Sequence, residues 1–71
     1  MDITESDKII YDILKGIINI EYGDNQIAIL TKNCFCRAND LSNLKRKLHA
    51  KDIEISTMPG LNNTLSYTLL F

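Results

Sequence analysis

Hydrophobic residues near the start of the chain recur every three or four positions, the spacing of a helix with one apolar face. The members of this set are Ile9, Ile10, Ile13, Leu14 and Ile17. The pattern predicts a helix at about residues 5–16, with Thr4 or Ser6 as its cap and Gly16 at its end. Hydroxyl side chains accept the first backbone N–H groups of a helix, and glycine tolerates the left-handed conformation that closes one.

Three leucines in the middle of the chain predict a second helix. At positions i, i+3 and i+7 stand Leu41, Leu44 and Leu48. Asn39 and Asp40 precede the set and are candidate caps. We therefore expect a helix at about residues 40–50, with one narrow apolar face.

Elsewhere apolar and polar residues alternate, which is the period of a strand with one buried face. Two such segments precede the second helix and two follow it, and the turn sequences Gly-Asp-Asn and Pro-Gly-Leu-Asn-Asn separate the members of each pair. The predicted buried face collects Ile18, Ile20, Tyr22, Ile27, Ile29, Ile53, Ile55, Leu65, Tyr67, Leu69 and Phe71. The opposite face collects Asn19, Glu21, Lys32, Glu54, Ser56, Ser66 and Thr68.

The order helix, hairpin, helix, hairpin predicts an α+β fold with a single small domain at residues 1–71. We expect a two-layer sandwich in the order αββαββ, with a four-stranded, mostly antiparallel sheet and two helices on one face. Two helices of about 10 Å diameter cover a sheet about 19 Å wide. The element order is similar to that of β-grasp domains, in which the first and last strands lie parallel in the centre. A different pairing of the two hairpins is also compatible with the pattern.

Composition is that of a folded protein, with 45% hydrophobic and 24% charged residues. No apolar run approaches the roughly 18 residues of a membrane span, and the acidic start of the chain differs from the basic start of a signal peptide. We expect the protein to lie in the cytoplasm, of a cell or of a host cell. Eleven Ile, seven Asn, six Lys and no Val are typical of an A+T-rich genome. This bias favours a low-G+C bacterium, a phage or mobile element, or a virus as the source.

Charge is unevenly distributed along the chain. Residues 1–24 carry six acids and two bases, residues 25–51 one acid and six bases, and residues 52–71 two acids, so −4, +5 and −2 sum to −1. The total does not attract nucleic acid, and any electrostatic partner must recognise one face. The residues predicted to form that face are Arg37, Asn43, Arg46 and Lys47. The alternative is that these cations only keep the exposed side of the helix in contact with water and bind no partner.

Cys34, Cys36 and His49 are the only candidate metal ligands, and we expect neither a metal site nor a disulfide. Zinc sites pair two cysteines with a second ligand pair, and His49 would lie about 13 Å along the helix from Asp40. We also expect no cofactor and no enzymatic activity. The sequence has no glycine-rich phosphate loop, and its spacing assembles no catalytic triad or carboxylate pair.

These patterns favour a non-enzymatic protein-binding module, such as an inhibitor or accessory factor that docks on another protein. The alternative is a small nucleic-acid-binding protein that uses residues 37–51. Leu30 and Leu70 lie on the predicted face that the helices leave uncovered. A homodimer formed through that face or through a free strand edge is therefore also predicted, and its rival is a monomer whose same patch docks a different protein.

Overall fold

The computed structural model describes residues 3–33 and 36–71. These residues form two α-helices and a four-stranded antiparallel sheet, so the predicted α+β class is confirmed. In chain order the elements are α1 (Ile3–Ile13), β1 (Ile17–Tyr22), β2 (Gln26–Lys32), α2 (Ala38–Leu48), β3 (Asp52–Thr57) and β4 (Thr64–Leu70). Neither of the helices in the described ranges is long and apolar enough to cross a membrane.

The strands lie in the order β1-β2-β4-β3, and each neighbouring pair is antiparallel. In the centre, Ile27 of β2 lies opposite Leu69 of β4, and Ile29 lies opposite Tyr67. The β-grasp arrangement, with β1 and β4 parallel in the centre, is therefore wrong. The two strands with the most buried residues pair with each other and place the less buried strands β1 and β3 at the edges.

A single hydrophobic cluster draws residues from both helices and from the two central strands. It contains Ile10, Leu14, Ile27, Ile29, Leu44, Leu48, Tyr67 and Leu69. Four members of the cluster, Ile27, Ile29, Tyr67 and Leu69, belong to strands, and we call the sheet surface that carries them the core face. The opposite surface, the outer face, carries Ala28, Leu30, Ser66, Thr68 and Leu70.

Strand β1 departs from the predicted alternation at its start. Pairing with β2 shifts between Ile17, opposite Thr31, and Asn19, opposite Leu30, so Ile18 is an extra residue with no partner of its own. Ile17 packs against the core, whereas Ile18 is 56% exposed. The prediction that Ile18 is buried is therefore wrong, because the bulge resets which residues face the core.

Three further residues predicted on the buried face are substantially exposed. Ile55 has the register of the core face, opposite Tyr67, yet is 51% exposed because it lies on the edge strand β3. Tyr22 ends the other edge strand, and Phe71 lies beyond the end of β4. Their exposed fractions, 36% and 38%, show that burial fades at the margins of the sheet.

Helix α1 starts and ends earlier than predicted. Thr4 and Ser6 lie inside it rather than at its cap, and Ser6 is buried because it stands one turn before Ile10 on the apolar arc. Gly16 instead forms the entry to β1, with φ of +69° and a carbonyl that accepts the Lys32 N–H at 2.8 Å. A Cβ atom at Gly16 would lie 2.1 Å from the Lys32 carbonyl oxygen, so only glycine fits here.

Helix α2 begins two residues before the predicted start. Arg37 is the N-cap, and its N–H donates to the Asp40 carboxylate at 3.2 Å, so Asn39 and Asp40 lie within the first turn. Leu44 and Leu48 are buried and Leu41 is half-buried, as the leucine spacing predicted.

Candidate protein-interaction surfaces

Three of the four polar residues predicted to bind a partner lie together on the exposed side of α2. Asn43, Arg46 and Lys47 are all exposed and stand three and four positions apart, which is one helical turn. The Arg46 guanidinium donates from Nη2 to the Asn43 side-chain oxygen at 3.1 Å. We call these three residues the basic cluster. The hydrogen bond orients one planar cation toward solvent, where it can meet a carboxylate with two parallel donors.

The fourth predicted residue, Arg37, lies apart from the basic cluster. It is exposed at the N-cap, nine positions before Arg46 and therefore about 14 Å away along the helix axis. Its cation stands at the positive end of the helix dipole, whereas Arg46 and Lys47 stand in the last turn at the negative end. The helix field therefore favours the charges of the basic cluster over that of Arg37.

A groove of about 270 Å³ runs between α2 and the edge strand β3. Its apolar lining comprises Ala38, Leu41, Ile53 and Ile55, and Lys45 and Asp52 are its charged members. The sequence pattern did not predict this groove, since it placed Ile53 and Ile55 on the sheet face that was expected to be buried under the helices. It exists because α2 leaves the edge strand β3 partly uncovered.

Backbone groups of β3 alternate between β4 and the open edge of the sheet. The Met58 N–H donates to the Thr64 carbonyl at 3.3 Å, in the same register as the rest of the β3–β4 ladder. Because bonded pairs alternate in an antiparallel ladder, Ile53, Ile55 and Thr57 direct their N–H and C=O groups outward. The Ile53 N–H already donates to the Asp52 carboxylate at 2.8 Å.

Leu30 and Leu70, the residues predicted to mediate self-association, lie on the outer face and are both half-buried. Leu30 pairs with Ser66, four residues before Leu70, so about 13 Å of strand separates the two leucines. Met58 and Leu30 both line a shallow cavity of about 170 Å³ on this face. The structure therefore does not join the two leucines into one apolar patch, and self-association through them stays a prediction.

The predicted cysteine and histidine candidates do not come together in the part of the chain that the structure describes. Cys34 lies outside the described residues. Cys36 precedes α2 and is half-buried, whereas His49 follows α2, is exposed and adopts a left-handed conformation with φ of 60°. Within residues 3–33 and 36–71, no group of three or more His, Cys, Asp or Glu side chains could hold a metal ion.

A hydrogen bond that the sequence did not indicate ties β1 to α1. The Tyr22 hydroxyl donates to the Asp7 carboxylate, fifteen positions away. Burial, and then this bond and the Asp7 charge, raise the pKa of Tyr22 above its ordinary value. Tyr22 also lines a cavity of about 430 Å³, together with Leu48, His49 and Phe71. No local pattern links Asp7 to Tyr22, since only the tertiary fold brings them together.

No protein-family model matches the chain, and neither a curated protein nor a solved structure matches it. The function must therefore be inferred from the surfaces described above.

Proposed function

We propose that this chain is a non-enzymatic protein-binding module that docks on an acidic surface of another protein through the basic cluster of α2. The observation that carries the proposal is the exposed Arg46 guanidinium held by Asn43 at 3.1 Å, with Lys47 beside it. A preoriented guanidinium loses less side-chain freedom on binding a carboxylate than a mobile one. In this role the protein acts in the cytoplasm as an inhibitor or accessory factor encoded by a phage or mobile element.

The proposal assumes a single domain, a two-layer sandwich in the order αββαββ with both helices on one sheet face. What supports this arrangement is the shared cluster, in which Ile10 and Leu14 of α1 and Leu44 and Leu48 of α2 pack with the core face. Such a core fixes α2 against the sheet, so its outward side chains form a rigid rather than a shifting surface.

An acidic protein fits this surface better than a nucleic acid does. Binding to generic DNA or RNA strengthens with the number of phosphates that are neutralised, and the cluster supplies two cations with Arg37 a helix length away. Asp52 lines the groove beside α2 and repels a continuous phosphate backbone. A protein carboxylate pair needs only the two cations of the cluster.

The test is affinity capture from the source organism with quantitative mass spectrometry, comparing wild type with the double variant Arg46→Glu/Lys47→Glu. The matched control is Lys8→Glu, a charge reversal at an exposed position of α1. We expect a partner that the double variant loses and the control retains. Equal capture by both variants would contradict the proposal.

Fluorescence anisotropy with a double-stranded oligonucleotide tests the alternative that the protein binds nucleic acid. We expect binding weaker than about 10 µM at physiological salt. Tighter binding with a steep salt dependence would overturn the proposal and assign residues 37–51 to nucleic acid.

A further inference from the structure

The open edge of β3 carries a regular row of outward-facing backbone groups, in which the Ile53 N–H donates to the Asp52 carboxylate at 2.8 Å. The β3–β4 register runs from Asp52 to Thr57 without a shift. Ile53, Ile55 and Thr57 point their backbone groups outward, and the Ile55 side chain is 51% exposed beside the α2–β3 groove. A sheet edge that is exposed, regular and apolar at its centre can pair with a strand of another chain.

We infer that β3 pairs with β3 of a second copy of this chain, antiparallel and about a two-fold axis at Ile55. In this register Ile55 lies opposite Ile55 of the second copy and exchanges both backbone bonds with it. Ile53 and Thr57 pair in the same way on either side. The interface uses the strand edge, and it leaves the basic cluster of α2 free for the partner proposed above.

Charge selects this register over its neighbours. Centred on Ile55, the pairing places Glu54 opposite Ser56 and Asp52 opposite Met58 of the second copy. Centred on Glu54, it would oppose the two Glu54 carboxylates, and centred on Ile53, it would oppose Asp52 and Glu54. Like charges directly opposite each other destabilise a strand pair.

A shift in the other direction fails for a different reason. Centred on Ser56, the pairing would bring Ile53 opposite Pro59, which has no N–H to donate. Of the registers centred on residues 53 to 56, only the one centred on Ile55 avoids both like-charge pairs and Pro59, and a two-fold pair of identical edges closes on itself.

The groove beside β3 favours the same axis. Ala38 and Leu41 line the apolar part of the groove, whereas Lys45 and Asp52 lie toward the connection between α2 and β3. An axis at Ile55 therefore brings the Ile55 side chains of the two copies together against apolar surface. The charged members of each groove stay at the periphery of the interface, where water reaches them.

Paired charge substitutions at Ser56 test the register. Ser56 is exposed, and its side chain lies on the outer face, so a charged residue there leaves the folded chain intact. Ser56→Lys places two attractive pairs with Glu54 across the axis, and Ser56→Glu places two repulsive ones. We expect sedimentation equilibrium to show association at about 100 µM for wild type, about fivefold tighter for Ser56→Lys and about fivefold weaker for Ser56→Glu. The matched controls Asn19→Lys and Asn19→Glu, on the outer face of β1, leave the association unchanged.

A residue-level readout locates the interface. Hydrogen exchange of the Ile55 and Thr57 amides slows as the protein concentration rises, whereas the Ile20 amide of β1 exchanges at a constant rate. Several results overturn the inference: a mass that stays at 8.1 kDa up to about 1 mM, or Ser56 variants that shift the association in one direction. Loss of the dimer in Leu70→Asp with no effect of the Ser56 variants would do so as well, and would assign the dimer to the outer face.

Discussion

The two edges of the sheet differ in what their backbones can do. Edge strand β1 holds more apolar residues than β3, yet a bulge at Ile18 breaks its ladder and leaves only Asn19 to Tyr22 in regular register. Edge strand β3 is regular from Asp52 to Thr57 and carries two acidic residues. If β3 is the edge that pairs, as we infer, continuity of the backbone matters more than hydrophobicity for pairing.

The entry to β1 gives the largest expected effect. Replacing Gly16 with Ala forces a side chain into a positive-φ position and against the Lys32 carbonyl oxygen, 2.1 Å from the new Cβ. We expect the free energy of unfolding to fall by about 3 kcal/mol, measured by urea denaturation. Gly60→Ala is the matched control, because Gly60 has φ of +81° but no atom within 4 Å of a Cβ, and it should cost only about 1 kcal/mol. If the two variants lose the same free energy of unfolding, the close contact between Gly16 and Lys32 of β2 does not hold the β1 edge in place.

Deletion of Ile18 would make the two edges alike. The deletion keeps Ile17 opposite Thr31 and Asn19 opposite Leu30, so both sides of the bulge retain their partners. Because Ile18 is 56% exposed, we expect the free energy of unfolding to change by no more than about 1 kcal/mol. With two regular edges, light scattering should show assemblies larger than a dimer. If the deletion variant associates no further than wild type, the bulge is not what blocks the β1 edge.

The side chain of Asp52 competes with a second copy for the Ile53 N–H. Asp52→Ala removes the 2.8 Å bond that now occupies this N–H, so the β3 edge should associate about threefold more tightly in sedimentation experiments. Asp52→Asn keeps the side-chain oxygen and is the control for loss of charge. A gain in the Asn variant equal to that in the Ala variant would trace the effect to charge instead of to the bond.

The Tyr22–Asp7 hydrogen bond should give the smallest effect, since Tyr22 is 36% exposed. We expect Tyr22→Phe to lower the free energy of unfolding by about 0.5 kcal/mol. The raised pKa of Tyr22 in the folded state means that its contribution is complete below pH about 10, the ordinary tyrosine pKa, and is lost as the pH rises through the folded value. Urea denaturation across this range should show a shallower alkaline decline for Tyr22→Phe than for wild type, and equal declines in the two proteins would contradict this contribution of Tyr22.

The sequence predicted the features that depend on local periodicity. The two helices, the four strands and the burial of residues such as Leu44 and Tyr67 follow from spacings of 3.6 and 2 residues. The bulge at Ile18 was missed because Ile17 and Ile18 are both apolar, so alternation alone does not show which of the two faces the core. The pairing of β2 with β4 was left open, because the choice among strand partners depends on contacts between residues far apart in the chain.

The candidate site also has a part that follows from local spacing and a part that depends on the tertiary fold. Asn43, Arg46 and Lys47 form a cluster because helical spacing brings them together, and the sequence predicted all three. Arg37 was grouped with them because its charge matched, although the helix places it about 14 Å from Arg46. The groove between α2 and β3 has no sequence signature, since it arises where α2 leaves the edge strand partly uncovered.

The position of α2 beside β3 has a consequence for avidity. The β3 pair that we infer, together with the proposed packing of the helices on one sheet face, would carry two α2 helices on the same side of one continuous sheet. Two basic clusters would then face a single target. Once one cluster is bound, the other samples the target at a high effective concentration. For a target with repeated acidic sites at a matching separation, such bivalent binding raises the apparent affinity by about two to four orders of magnitude without any new contact. On these two proposals, a weak individual cluster would be sufficient for tight retention on a multivalent partner.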